Sequence, residues 1–389
     1  MSDPSHRLTG RESSLASASL AGATGIITID LPQIVDNWRA LARLVGPARC
    51  GAVVKANAYG LGSDRVIPVL AKAGCTTFFV ATPDEAEQAR AKAPNATIYA
   101  LDGLLPGASD DFARLGIRPV LSTLQDVESW TKLCKMRGKS LAAGLHIDTG
   151  LNRLGLPARD ARRLAADTTM RAAFELTLVM SHLACADNPA DPKNRDQLLA
   201  FETLSALYPG IPRSLAASDG LMLGKTFHFD LVRPGYALYG GQASATNPAP
   251  VSPAVTVLAR ILAVNDVAPG ETVGYSATWR AKRPSRIATI AAGYADGIPR
   301  SASGPDGRPG GHVLIAGALA PIVGRVSMDL ITADVTELEA GAAQVGAFAT
   351  LIGPGMTIED AGYSASTIGY EILTRLGPRF ARVYRDDGV

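Results

Sequence analysis

The stretch CGAVVKANAYG at residues 50–60 is the first of eight short apolar runs that end in glycine or polar residues. A helical pattern, DRVIPVLAKAG, follows it, and this alternation repeats to about residue 240. Because the runs are apolar on both faces and helices separate them, they predict a parallel sheet covered by helices. Eight such units favour a (β/α)8 TIM-like barrel over a doubly wound open sheet, since no run is followed by GxGxxG. The seven later runs lie at 76–86, 96–103, 118–123, 142–150, 175–184, 212–220 and 229–240.

The pattern changes after about residue 250. Segments such as VTVLARILAVNDV alternate in polarity and are joined by turns that contain glycine or proline, which predicts a mostly antiparallel β domain. The small, proline-rich stretch GQASATNPAPVSP is the expected boundary. We therefore predict a flexible N-terminal tail at 1–25, a (β/α)8 barrel at 26–250 and a C-terminal β domain at 251–389.

The composition argues against several classes of function. Lys plus Arg number 38 and Asp plus Glu 36, so the formal net charge of +2 gives no basic footprint for nucleic acid or an anionic membrane. No apolar stretch approaches the ~20 residues that span a bilayer, and the first 25 residues lack the apolar core of a signal peptide. The four cysteines form no CxxC pair and the five histidines no HxxxH or HxH pair, so no metal site is predicted. We expect a cytoplasmic protein.

Polar residues at the ends of the eight runs are the first candidates for a functional site, because barrel active sites lie at the C-terminal ends of the strands. The set contains neither a carboxylate cluster for Mg²⁺ nor a Ser-His-Asp grouping. Its members are Lys55, Asp148, Arg153, His182, Ser218, Arg233 and Tyr239.

Two of these residues have both an ordinary and a functional interpretation. A lysine at a strand end, such as Lys55, is usually solvated, but at a barrel mouth near other cations its amine can form a Schiff base. Ser218 precedes a helical pattern, where serine is most often an N-cap, although the free N–H groups there also favour a phosphate. Gly235 would let backbone N–H groups approach such a phosphate closely.

Seven segments resemble, in the same order, motifs of the alanine racemase family. The match runs from about residue 26 to the C-terminus, and seven ordered motifs are far more specific than one. The resemblance implies a (β/α)8 barrel followed by a mostly β domain, the cofactor pyridoxal 5′-phosphate, and interconversion of L-alanine and D-alanine. The segments are VVKANAYG (53–60), HIDTGLNRLG (146–155), SHLACAD (181–187), LVRPGYALYG (231–240), VGYSATW (273–279), AAGYADG (291–297) and VGRVSMD (323–329).

Several residues match cofactor-binding and substrate-binding positions of that family. Lys55 matches the lysine that binds pyridoxal phosphate covalently and serves as one of two bases. Arg233 matches the arginine that faces the pyridine nitrogen, and Arg153 the arginine that contacts the substrate carboxylate. His182 matches a histidine that supports the tyrosine base. The positions around the cofactor phosphate are matched by Tyr59, Ser218, Gly235, Tyr236 and Tyr370.

Other matches lie in the predicted β domain and imply a homodimer with shared active sites. Tyr275 matches the second base, which the partner subunit supplies. Met328, a substrate contact, and Asp329 match residues at the entrance side of the partner's site, and Tyr294 matches a gate residue there.

The chain departs from the family at three positions. His146 stands where many members have a lysine that becomes carbamylated, and histidine cannot form that stable anion. We expect His146 to stay neutral and accept a hydrogen bond from Arg153, with Asn152 or a chloride ion completing the contact. The alternative is that His146 only packs inside the barrel. Ser327 and Ala217 replace a common cysteine and a common asparagine.

Three alternative functions remain open from the sequence. A barrel-type decarboxylase would be expected to place a carboxylate where Arg233 stands, and a broad-specificity racemase is usually exported. A non-catalytic pyridoxal-phosphate carrier resembles the barrel alone, whereas this chain continues through Tyr275 and Asp329. The sequence also leaves open whether D-alanine is made for peptidoglycan or alanine is broken down.

Overall fold

The structure is a computed structural model that describes residue 20 and residues 22–242, 244 and 246–386. It divides into two compact units. Residues 31–254 form one unit, and strand β1 (Gly25–Asp30) together with Val255–Arg385 forms the other. No helix among the described residues is long and apolar enough to cross a membrane. The predicted tail lies mostly outside the described residues.

The first unit is a ring of short parallel strands. Its strands are β2 (Arg49–Cys50), β3 (Ala52–Val53), β4 (Thr77–Val80), β5 (Thr97–Ala100), β6 (Arg118–Leu121), β7 (Ala142–His146), β8 (Glu175–Met180), β9 (Arg213–Ser214) and β10 (Leu231–Val232). Strands β3 to β9 pair in chain order, and β10 pairs with β2, which only Gly51 separates from β3. A parallel bridge from Ala217 to Arg233 joins the ends of the β9 and β10 runs. Every predicted run contains a strand of this ring, which confirms the predicted barrel.

Helices alternate with these strands, and all but the short helix Thr168–Ala173 contain buried residues. In the first helix, Ile34, Val35, Trp38 and Leu41 are buried, the spacing expected of an amphipathic helix against a sheet. The helices are α1 (Leu31–Val45), α2 (Ser63–Lys72), α3 (Pro83–Lys92), α4 (Ser109–Leu115), α5 (Leu124–Arg137), α6 (Ala158–Ala166), α7 (Thr168–Ala173) and α8 (Pro192–Ser205).

The second unit is mostly antiparallel, as predicted. Its long strand β11 (Val255–Val267) pairs antiparallel with three others, which are β1, β14 (Ser285–Ile290) and β18 (Phe348–Ile352). The remaining elements are β12 (Thr272–Val273), β13 (Trp279–Arg280), β14 (Ser285–Ile290), β15 (His312–Ile315), β16 (Ala318–Pro321), β17 (Ile331–Asp334), β18 (Phe348–Ile352), α9 (Ile358–Ser364), α10 (Gly369–Thr374) and β19 (Ala381–Arg385).

The predicted start of the barrel at residue 26 is wrong. Strand β1 pairs antiparallel with β11 and in parallel with β19, so it belongs to the second unit. Ile27 and Ile29 are buried while their neighbours are half-buried. Six residues that alternate between buried and half-buried could lie in the barrel sheet or in the antiparallel sheet. Pairing with residues far along the chain decides between the two sheets. The second unit resumes at Val255, within a few residues of the predicted boundary at 250/251.

Candidate active site

Lys55 follows β3 at the C-terminal end of the strand, and its side chain is half-buried. The next four residues, Ala56 to Tyr59, all adopt left-handed backbone angles, with φ between 51° and 56°. Glu85, which lies in the first turn of α3, accepts a hydrogen bond from the Ala56 N–H at 2.6 Å. The lysine is therefore followed by an unusual turn that a neighbouring carboxylate contacts.

Burial is the main cause that lowers the pKa of the Lys55 amine, and the charge of Arg153 lowers it further. Asp102 and Glu85 act in the opposite direction. Since the net shift is downward, a larger fraction of this amine is neutral near pH 7 than of an exposed lysine.

Arg233 is almost fully buried, with 3% of its surface exposed. Its guanidinium donates to the Ser214 hydroxyl at 2.5 Å and to the carbonyl oxygens of Ser181 at 2.7 Å and Leu215 at 3.3 Å. None of these partners is charged, and no ion pair of Arg233 occurs within the described ranges. Burial accordingly lowers its pKa to about 9. An arginine held only by neutral oxygens keeps a largely uncompensated positive charge inside the barrel.

Ser218 and Gly235 form a small cradle next to the β10 end. The Ser218 hydroxyl oxygen accepts the N–H groups of Gly235 at 3.0 Å and Ala237 at 3.1 Å. In both bonds the hydroxyl oxygen is the acceptor, so the Ser218 O–H can still donate a hydrogen bond. No described residue accepts a hydrogen bond from this O–H. A Cβ on Gly235 would lie 2.3 Å from the Tyr59 hydroxyl oxygen. The cradle therefore offers a buried donor, and the absence of a Cβ at Gly235 is what allows the Tyr59 hydroxyl to approach the backbone so closely.

Tyr59 closes one side of this cradle. Its ring centroid lies 5.0 Å from that of Tyr239, whose hydroxyl donates to the Val53 carbonyl oxygen at 3.3 Å. Tyr236 is also buried, in the 3-10 turn that follows Gly235.

Two histidines at the strand ends are held neutral. Burial lowers the pKa of His146 to about 4, with further lowering by Arg233 and Arg153. Burial also lowers the pKa of His182 to about 3, and the same two arginines contribute. The two histidines therefore add no positive charge to that of Lys55 and the two arginines.

Arg153 is exposed, and no described residue forms a hydrogen bond or ion pair with its guanidinium. Asp148, a candidate partner, instead accepts the backbone N–H groups of Gly150, Leu151 and Asn152. No hydrogen bond between His146 and Arg153 occurs in the part of the chain that the structure covers. The predicted contact between these two side chains thus remains a prediction.

The barrel brings nine of the predicted site residues to the C-terminal ends of its strands, because the runs that carry them are parallel neighbours. These nine are Lys55, Tyr59, His146, Arg153, His182, Ser218, Arg233, Gly235 and Tyr236.

Four other predicted residues lie on neighbouring loops of the second unit. Tyr275 follows Gly274, which packs against the backbone at Arg325. The loop of Tyr294 pairs with the loop of Met328 and Asp329, since the Tyr294 N–H donates to the Ser327 carbonyl oxygen at 3.0 Å. The side chains of Tyr275, Tyr294 and Met328 are exposed, by 71%, 40% and 54%. Tyr370 is half-buried in α10 of the same unit.

Arg379 joins two of these loops and was not predicted from the sequence. Its guanidinium donates two hydrogen bonds to the buried carboxylate of Asp296, at 2.7 and 2.6 Å, and a third to Asp329 at 2.5 Å. Asp296 also accepts the N–H of Gly293, where a Cβ would lie 2.3 Å from the Met328 carbonyl oxygen. The two loops are therefore packed backbone against backbone.

A parallel barrel with a lysine and a buried arginine at its strand ends, followed by an antiparallel β unit, is the arrangement of a lysine-dependent barrel enzyme. A family model described as alanine racemase, N-terminal domain, matches residues 29–243, and one described as alanine racemase, C-terminal domain, matches residues 254–384. The chain belongs to the alanine racemase family, which confirms the resemblance seen in the sequence.

Individual relatives agree over nearly the whole chain. The alanine racemase of Methylobacterium sp. (strain 4-46) is 46% identical over 92% of this chain and 97% of its own length. That of Brucella canis is 45% identical over 93% of this chain and 94% of its own. A crystal structure of alanine racemase from Bartonella henselae with covalently bound pyridoxal phosphate is 41% identical, with a TM-score of 0.89, and the match covers 93% of this chain and 100% of that one.

Proposed function

We propose that this protein interconverts L-alanine and D-alanine with the aid of pyridoxal 5′-phosphate. The observation that carries the proposal is the buried Arg233, held by neutral oxygens at the same barrel end as Lys55. A permanent cation facing the pyridine nitrogen disfavours protonation there, because like charges repel. The weaker electron sink that results favours proton transfer over decarboxylation or transamination. A carboxylate at this position would favour those side reactions.

The residues of the barrel fit this cofactor. Lys55 would hold it covalently, and the unsatisfied hydroxyl proton of Ser218 would donate to a phosphate oxygen. Arg233 would face the ring nitrogen. When bound, the cofactor spreads the negative charge that develops at Cα. Further contacts are assigned to Tyr59, His182, Tyr236 and Tyr370.

Two bases perform the inversion. A proton must leave one face of Cα and return to the other, and one side chain rarely reaches both faces. We assign the D-face to Lys55, whose lowered pKa leaves a neutral fraction that accepts the proton. The L-face is assigned to Tyr275. Arg153, with its guanidinium free of partners among the described residues, would bind the substrate carboxylate, and Met328 would contact the substrate.

The active unit in this proposal is a cytoplasmic homodimer in which each site takes Tyr275 from the second copy. Support comes from the exposure of Tyr275, Tyr294 and Met328 on adjoining loops, since apolar and aromatic side chains grouped in this way are usually covered by a partner. Tyr294 and Asp329 would line the entrance, and His146 would lie behind Arg153. D-Alanine for peptidoglycan and alanine breakdown are both compatible uses of the reaction.

The decisive experiment follows the optical rotation of purified protein with a panel of L-amino acids. We expect racemisation of L-alanine, none with Lys55→Ala, and a pyridoxyl label on Lys55 after borohydride reduction. Mixing Lys55→Ala with Tyr275→Phe chains should restore part of the activity, because a mixed dimer has one intact site. Release of carbon dioxide without D-alanine would show a decarboxylase instead. Zero activity after subunit exchange has been verified by mass would rule out shared sites.

A further inference from the structure

The turn after Lys55 is conformationally unfavourable. Four consecutive residues with a Cβ, Ala56 to Tyr59, adopt φ between 51° and 56°, where the Cβ crowds the following carbonyl oxygen. Left-handed residues normally occur singly, so four in a row persist only where surrounding contacts hold them. The turn begins at the lysine itself, and any contact that holds it also fixes where the lysine backbone lies.

Glu85 makes such a contact with both of its carboxylate oxygens. Oε1 accepts the Ala56 N–H at 2.6 Å, and Oε2 accepts the Ala81 N–H at 2.7 Å. Ala81 directly follows β4, while Ala56 begins the left-handed turn that follows β3. The carboxylate therefore links the ends of two adjacent strands through short, charge-assisted hydrogen bonds.

The position of Glu85 in its helix makes this arrangement distinctive. It is the third residue of α3, after the N-cap Thr82, whose hydroxyl accepts the Glu85 N–H. A glutamate at that position usually returns to the N–H of the N-cap itself. Here the carboxylate instead accepts the N–H of Ala81, one residue before the N-cap, and the N–H of Ala56 after the neighbouring strand. The side chain is thus used to hold the turn rather than to complete a capping box.

We propose that Glu85 is a positioning residue for Lys55, which fixes the left-handed turn beside the lysine and places a negative charge close to its amine. The inference rests on the proposed function, in which Lys55 is a base. The charged groups that act on the amine are Arg153, Asp102 and Glu85. Burial and Arg153 lower the pKa of Lys55, and the two carboxylates oppose that shift.

Three variants of the full-length protein separate these roles. Glu85→Ala removes both acceptors, and Glu85→Gln keeps the shape and one acceptor oxygen but removes the charge. Asp84→Asn is the matched control, because it removes a carboxylate from the same helix turn, where Asp84 is exposed and has no hydrogen bond to a described residue. If Glu85→Ala does not fold, Glu85→Gln carries the test.

The first measurement is amide hydrogen exchange of the peptide that spans residues 54–61. Loss of a charge-assisted bond to the Ala56 N–H should speed exchange by about 10- to 100-fold in Glu85→Ala and less in Glu85→Gln, with Asp84→Asn within about twofold of the original chain. The second is the pH dependence of amine-reagent labelling of Lys55 after the cofactor has been removed. Glu85→Gln should move this profile to lower pH, a change that a merely structural role would not cause.

The outcomes are distinct. Equal exchange and equal labelling profiles in Glu85→Ala, Glu85→Gln and Asp84→Asn would overturn the proposal. Neither measurement depends on alanine turnover, so a chain that racemises no alanine would contradict the proposed function and leave this result unaffected. For an active chain, kcat should fall more than KM rises in Glu85→Gln, since the proton acceptor is displaced rather than the substrate contacts.

Discussion

Alanine in place of Gly235 would put a methyl carbon 2.3 Å from the hydroxyl oxygen of Tyr59, 2.9 Å from its Cζ and 3.1 Å from the Cβ of Val53. The backbone is not the obstacle, because φ at Gly235 is −129° and lies outside the left-handed region. The effect is therefore steric and concentrated on one side chain. Tyr59 is buried against Tyr239, so its ring cannot swing away freely.

The magnitude follows from overpacking of a well-packed interior, which costs about 1–3 kcal/mol. The Tyr59 hydroxyl oxygen must retreat by about 1 Å to reach an ordinary contact distance, and the cradle with Ser218 must open with it. We expect Gly235→Ala to lower the free energy of unfolding of the cofactor-free protein by about 1–3 kcal/mol and to weaken pyridoxal phosphate binding by about 5- to 100-fold. Tyr59→Phe removes the atom at 2.3 Å but leaves Cζ, so the double variant should recover only part of this loss.

The assay is a double-mutant cycle of the original chain, Gly235→Ala, Tyr59→Phe and the double variant. Thermal unfolding and equilibrium cofactor binding are measured for each of the four proteins. Gly22→Ala is the control, because nothing lies within 4 Å of a Cβ there. A coupling of about 1 kcal/mol between Gly235 and Tyr59 is expected. Stability of Gly235→Ala within about 0.5 kcal/mol of the original, or a double variant no better than Gly235→Ala, would refute the steric argument.

Two further predictions concern charges. Arg379→Ala should lower the Tm of the second unit, because the buried Asp296 carboxylate loses its cation, and it should raise KM for alanine more than it lowers kcat. Arg283→Ala, which removes an exposed ion pair, is the control and should change neither the stability of the second unit nor the KM for alanine. For pH dependence, the folded chain lowers the pKa of His146 to about 4 and of His182 to about 3, whereas both titrate at ~6.5 when unfolded. The unfolded state then binds more protons below pH ~6.5, so stability should fall from there toward about pH 3, the lower of the two folded-state values. Replacing both histidines by Asn should flatten a plot of Tm against pH, and an unchanged slope would contradict the burial argument.

The barrel could be predicted because its information is local. Eight runs that are apolar on both faces, each followed by a helical pattern, identify parallel strands buried on both sides. Strand β1 escaped this logic, since its alternation of Ile27 and Ile29 fits an edge of either sheet. Its place depends on pairing with β11 and β19, more than 200 residues away, which no local pattern specifies.

The strand-end rule locates the residues that carry chemistry but not the residues that hold them. Lys55 and Arg233 both end apolar runs and could be selected on that basis. Glu85 could not, because Thr-x-x-Glu at the start of a helix predicts an ordinary capping box. Arg379 stands in a region with no motif, and its two carboxylate partners lie 83 and 50 residues earlier in the chain.

The electrostatics of the barrel end depend on the fact that no carboxylate of a described residue pairs with Arg233. Asp148, which also follows a barrel strand, is a candidate carboxylate partner for Arg233. One of its carboxylate oxygens instead accepts three backbone N–H groups of its own loop. The two nearby histidines add no charge, because burial keeps them neutral. Positive charge therefore remains on the exposed Arg153 and on Arg233, which is buried in a low-dielectric interior where its charge acts strongly. A site of this kind attracts an anionic ligand and resists any additional proton, which are the two properties that racemisation through a weakened electron sink requires.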